Sequence, residues 1–282
     1  MTSTSVTGHF IAGAKGRVFV LARIPAKPIG SILIVPPFAE EMNKCRRMMA
    51  QTSQRLSDLG YAVILPDLHG TGDSDGEFAH ACAAVWCADL HCVGRWAVDH
   101  EVPITGLLAV RLGAALTVAA AAEQHYQGVI RTVVWQPVFD GARHLQQFLR
   151  LRTAASMNSA RPESVAELSG RIAGGETLEV AGYKINGILA AELERMAAPP
   201  VWPRALGCVH WLEVSRNAGS PLPPPSEQLI ERWRQSLTQV DVQRLMGEPY
   251  WASTEIVSNT SLIEATVAAF IASEVPASNA VG

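Results

Sequence analysis

The chain has no excess of positive charge. Its 282 residues carry 23 Lys and Arg against 26 Asp and Glu, a formal net charge of −3. No dense basic stripe is present, so the electrostatic footprint of a nucleic-acid binder is missing. The first ten residues lack the basic and then apolar segments of a secretory signal. The most apolar stretch, 114–122, falls well short of the ~18 residues of a membrane span. These absences lead to the expectation of a cytoplasmic, soluble protein without a transmembrane segment. Five cysteines, an odd number without C-x-x-C spacing, suit reduced thiols better than a disulfide framework. No internal repeat or low-complexity tract is visible. No cofactor is expected. Among possible metal ligands, Cys87 and His91 are four apart on a helix, but His80 lies about two turns away, near 10 Å along the axis, too far for one ion.

What is present is a large apolar complement, 48% of residues, in a chain long enough to bury roughly three-quarters of its extended surface. One domain over 1–282 is expected. After a polar start, frayed over 1–6, short β-rich pieces at Phe10-Ile11 and 16–23 predict an antiparallel hairpin. Apolar runs at 31–35 and 61–65 have the length and character of strands covered on both faces, and 104–110 and 129–135 read as further strands. Helical spacing at 43–59, ending at Gly60, at 79–98, and after residue 112 separates them. Strands alternating with long helices predict βαβ units and a mostly parallel sheet with helices on both faces. The pattern breaks over 141–203, where mixed helical segments and a Gly174-Gly175 step predict a helical cap insertion. A strand at 208–214, a helix at 226–237, a strand at 240–246 and a helix at 261–272 follow, with a disordered tail from Glu274.

The segment Ala109-Val110-Arg111-Leu112-Gly113 sits where an apolar strand turns into an Ala-rich helix. Small residues flank a central side chain, the outline of a nucleophile elbow, where a strained turn lifts that side chain above the sheet. The central residue is Arg111. A guanidinium stays protonated and has no lone pair with which to attack.

The order of elements, the loop Asp67-Leu68-His69-Gly70-Thr71-Gly72-Asp73-Ser74 and the elbow resemble the α/β-hydrolase fold over most of the chain. More narrowly, Val35-Pro36-Pro37-Phe38-Ala39-Glu40-Glu41-Met42-Asn43-Lys44-Cys45-Arg46-Arg47, the Arg111-Leu112-Gly113 elbow and Glu248-Pro249-Tyr250-Trp251 resemble the exosortase A system-associated hydrolase 2 family. That family accompanies protein sorting and exopolysaccharide production in Gram-negative bacteria. The resemblance implies a hydrolase acting on ester or thioester bonds. Against it, the nucleophile position is Arg111, the nearest carboxylates at the acid position are Asp140 and Glu213, and the last histidine is His210. The Ser–Asp–His relay is therefore absent from its usual positions.

In open α/β sheets, ligands bind outside the carboxyl ends of the strands. There the sequence places Phe38, Glu40, Glu41, His69, Arg111, Gln136 and Trp251. The hydrolase resemblance implies an oxyanion or anion site from the amides of Phe38 and Leu112 at a helix N-terminus, with Arg111 added. The alternative is an internal ion pair of Arg111 with Glu40 or Glu41, or alternation between the two roles. Cys45 reads as a buried helix thiol or as one activated at a helix start, and His69 as loop-structuring or as a base. Three functions remain open: an ester or thioester hydrolase, a non-catalytic protein binding an anionic metabolite or acyl group, and a protein-interaction partner. Homo-oligomerisation is compatible with all three.

Overall fold

The computed structural model describes residues 4–122, 128–157, 161–217, 219–253, 255 and 257–272. The tail expected to be disordered lies outside them. The chain opens with the hairpin β1 (Thr4–Gly13) and β2 (Gly16–Pro25), paired antiparallel from Thr4–Pro25 to Gly13–Gly16. Residues 4–6 are thus strand rather than frayed, because β2 supplies partners along the whole length of β1. β3 (Gly30–Val35), β4 (Tyr61–Asp67), β5 (Gly106–Val110), β6 (Arg131–Trp135), β9 (Cys208–Ser215) and β10 (Val240–Met246) join them in one eight-stranded sheet. Its order is β1-β2-β4-β3-β5-β6-β9-β10. β2 runs antiparallel to β4, and every pairing from β4 to β10 is parallel.

Alternation along the strands sends side chains to two cores. Ile32, Ile34, Leu108 and Val110 pack with Met48, Met49, Leu262 and Phe270 of α1 (Glu40–Asp58) and α8 (Thr260–Ile271). Leu33, Val35, Leu107 and Ala109 pack on the opposite face with α2 (Ala83–Asp99) and α3 (Gly113–Ala122). Every residue of β5 and β6 is buried, which is why β5 reads as an apolar run, whereas β6 opens with the buried Arg131 and Thr132.

Between β6 and β9 the chain leaves the sheet. It forms α4 (Gly141–Ser156), α5 (Val165–Ala173), a separate antiparallel ribbon of β7 (Leu178–Val180) and β8 (Tyr183–Ile185), and α6 (Gly187–Arg195). Leu145, Phe148, Leu168 and Leu189 of this insert belong to the same apolar cluster as the α2–α3 face of the sheet. α7 (Pro224–Gln235) begins two residues before the expected start, with proline in its first turn, where a missing N–H costs nothing. α2 starts at Ala83 instead of residue 79, because Phe78–His80 forms a 3₁₀ turn. No helix among the described residues is long and apolar enough to cross a membrane.

Candidate ligand site at the elbow

Three non-glycine residues with left-handed backbone stand at the carboxyl ends of adjacent strands: Ala39 after β3 (φ 47°), Arg111 after β5 (φ 55°) and Gln136 after β6 (φ 42°). Such conformations are sparsely populated and cluster where structure is held for function. Here the holding is visible. The Arg111 amide donates to the Trp135 carbonyl (3.0 Å), and the Arg111 carbonyl accepts from Val138 N (3.0 Å) and Ala114 N (3.1 Å). Gly113 is needed because a Cβ there would come within 2.5 Å of the Val35 carbonyl oxygen and 2.8 Å of that of Pro36.

The Gln136 amide bolts β6 to β9. Its Nε2 donates to Glu213 Oε1 and its Oε1 accepts from Val214 N, both at 2.7 Å. Trp211 Nε1 donates to the other Glu213 oxygen at 2.7 Å. Burial pushes the Glu213 carboxyl above its usual range, against the lowering effect of these donors and of the Arg111 charge.

Arg111 is buried and partnered. Its Nε (3.2 Å) and Nη2 (2.9 Å) both donate to Glu41 Oε1, and Nη1 donates to the Gln136 carbonyl (3.0 Å). The guanidinium also sits 4.7 Å from the centre of the Trp251 ring, in cation–π contact. Of Glu40 and Glu41, the internal partner is Glu41. α1 starts at Glu40, three residues earlier than the periodicity suggested, and this puts both carboxylates in its first turn, where negative charge is favoured. Successive helical residues point about 100° apart, so Glu41 meets the guanidinium while Glu40, half-buried, keeps an Oε2 with no partner among the described residues. Burial pushes the Glu40 carboxyl up to about 7, against its own backbone hydrogen bond, and the Glu41 charge adds to the rise.

A cleft of about 690 Å³ lies over Arg111, Gln136, Trp211, Glu213 and Trp251. One wall is the start of α4 with Arg143, His144 and Gln147, and the other is α7 with Gln228, Leu229 and Arg232. His144 is the residue that sequence reasoning missed. It is 5% exposed, lines the cleft, and neither ring nitrogen has a hydrogen-bond partner among the described residues. Burial pushes its pKa down; the Glu41 charge opposes and the Arg111 charge adds. The ring is therefore neutral at pH 7. Its only sequence mark is a position four residues after Asp140, whose side chain accepts from Arg143 N and caps α4, and no motif ties it to the elbow. Glu41 Oε2 and the buried Tyr250 hydroxyl likewise have no partner among the described residues.

Other expected residues are placed elsewhere. Phe38 packs edge-on against Phe78, Trp86, His144 and Phe148. It lines a separate space of about 80 Å³ with Pro36, Pro37 and Tyr183. Neither Phe38 nor the fully buried Leu112 is among the residues lining the large cleft. His69 is turned into the loop after β4: its amide donates to Asp89 Oδ2 and its carbonyl accepts from Trp86 Nε1, both at 2.9 Å. It too stands outside the cleft lining. Cys45 is fully buried, and burial raises its thiol pKa well above the ordinary value, the opposite of helix-start activation. Among the described residues no group of three or more His, Cys, Asp or Glu could hold a metal ion.

Comparison with solved structures decides the architecture. Est1E from Butyrivibrio proteoclasticus with ferulic acid bound aligns with a TM-score of 0.64 at 12% identity, over 91% of this chain and 95% of that one. A putative hydrolase from Agrobacterium vitis aligns with a TM-score of 0.59 at 15% identity, over 96% and 100%. A thermostable carboxyl esterase from Bacillus coagulans aligns with a TM-score of 0.58 at 12% identity, over 96% and 98%. The fold is that of the α/β-hydrolases. No family model matches the sequence, and neither does any curated protein.

Proposed function

We propose that this chain is a non-catalytic member of the α/β-hydrolase superfamily that binds a small anionic or acyl ligand in the cleft above the elbow. One observation carries the reading. At the turn from β5 into α3, which we read as the elbow, a guanidinium is fixed between Glu41, the Gln136 carbonyl and the Trp251 ring. A guanidinium has five N–H donors, three are used by these described partners, and the remaining two belong to a side chain that lines the cleft. They suit a carboxylate, phosphate or acyl carbonyl. Trp211, Phe139, Met196 and Leu229 offer an apolar bed for the rest of the ligand. The insert 141–203, acting as a cap, supplies the His144 wall. The motif resemblance to exosortase-associated hydrolases sets this binding in the context of exopolysaccharide production and protein sorting.

A second reading rests on His144. A neutral, buried imidazole beside the cleft could take a proton from water, with Arg111 steadying the developing oxyanion, so that an ester or thioester is hydrolysed without a covalent intermediate.

Two assays separate the readings. A fluorophosphonate probe requires an activated hydroxyl, and neither reading places one at the elbow, so stoichiometric serine labelling would overturn both. A panel of short and long acyl esters and thioesters should show no turnover above buffer, and Arg111→Ser combined with Glu41→Gln should not create an efficient esterase. Turnover lost in His144→Gln would replace the binding reading by the second.

A further inference from the structure

At the amino ends of β6, β9 and β10, opposite the cleft, the sheet assembles a second cluster. Cys208 and His210 are two residues apart on β9 and so share a face. The Cys208 thiol donates to the Ile130 carbonyl (3.5 Å), and its Sγ lies 3.7 Å from His210 Nε2. His210 Nδ1 is 3.3 Å from Oδ2 of Asp241, the residue directly opposite it on β10. On the other side, Arg131 of β6 stands in register with Cys208. Arg131 is 5% exposed, and its two Nη groups donate to the Ala269 and Ala272 carbonyls at the end of α8. Its Nε has no partner among the described residues.

We propose that Cys208, His210 and Asp241, beside the Arg131 charge, form a thiol-modification site that reacts with low-molecular-weight disulfides. Asp241 accepts from Nδ1–H, which fixes the tautomer with its lone pair on Nε2, facing the thiol. Burial lowers the His210 pKa, against the raising effect of Asp241 and with the Arg131 charge adding to the fall; the ring is therefore neutral at pH 7 and able to accept a proton. Arg131 places a permanent positive charge one strand away from the sulfur, where it favours a thiolate.

In the reaction, the Cys208 S–H turns from the Ile130 carbonyl to Nε2 and its proton passes to the ring while sulfur attacks one sulfur of the disulfide. The disulfide bond breaks, and the departing thiolate takes the proton from the imidazolium. One protein thiol and one small disulfide give one mixed disulfide and one small thiol, so no other oxidant is required. The side chain of Asp241 is 49% exposed and that of His210 12%. Cys208 itself is half-buried, as are Cys82 and Cys92, whereas Cys45 and Cys87 are buried.

The test compares thiols within one protein. The full chain is treated at pH 7 with iodoacetamide and, separately, with oxidised glutathione, and modification of each cysteine is followed over time by peptide mass spectrometry. Cys208 is expected to react at least roughly tenfold faster than Cys82 and Cys92, and to be the first to carry glutathione. His210→Gln should remove that advantage, and Asp241→Asn, at a more exposed position, should reduce it while the circular dichroism spectrum is unchanged. The proposal is overturned if Cys208 reacts no faster than Cys82 and Cys92, or if its rate is indifferent to both substitutions.

Discussion

Arg111 and Glu41 form a buried pair, with side chains 9% and 7% exposed. Such a pair is weak evidence for stability, but removing one member strands a charge at a cost of about 3–5 kcal/mol. Any test of Arg111 must therefore neutralise Glu41 as well. The neighbouring Glu40 makes a separate prediction. Its carboxyl is raised to about 7 in the folded protein, so between the ordinary carboxylate range near 4.5 and that value the folded state holds a proton that the unfolded chain has lost. Stability contributed by this group is present at acid pH and falls as pH rises through the window. Glu40→Gln should match the wild type in thermal unfolding near pH 4.5 and exceed it at pH 8; an unchanged difference across that range would show that Glu40 is not buried as described.

The elements were read from the sequence to unequal degrees. β3, β4 and β5 are legible because strands covered on both faces are built mostly of apolar residues, and the elbow because Ala109 and Gly113 flank a strained turn. The start of α1 was not, since the prolines before it mask a helix that begins at Glu40. His144 was out of reach because its partnership with the elbow depends on how α4 packs over the sheet. The relation of Cys208 and His210 to Asp241 depends on the register between β9 and β10, which no local pattern encodes. Within the elbow, the close approach of α3 to β3 makes Gly113 the sensitive point. Gly113→Ala should destabilise the protein by about 1–3 kcal/mol through overpacking, read as a lower urea midpoint with an unchanged slope. Wild-type stability in that variant would mean that the elbow is looser than its geometry implies.

At the scale of the molecule, the two ends of the sheet carry different chemistry. The carboxyl end holds the cleft, with Arg111 at the turn from β5 into α3, and the amino end holds the Cys208 cluster. On the proposed function, the cleft takes an anionic or acyl ligand through Arg111. A ligand that binds only the folded state raises its stability by mass action, about 2.7 kcal/mol at a hundred times its Kd. The direct measurement is a thermal-shift titration with alkyl and aryl carboxylates, phosphate esters and acyl thioesters. It is run on the wild type and on the double variant Arg111→Gln/Glu41→Gln, which removes both buried charges together. A concentration-dependent rise in Tm is expected for at least one class in the wild type and none in the double variant. No shift with any class, or the same shift in both proteins, would contradict it.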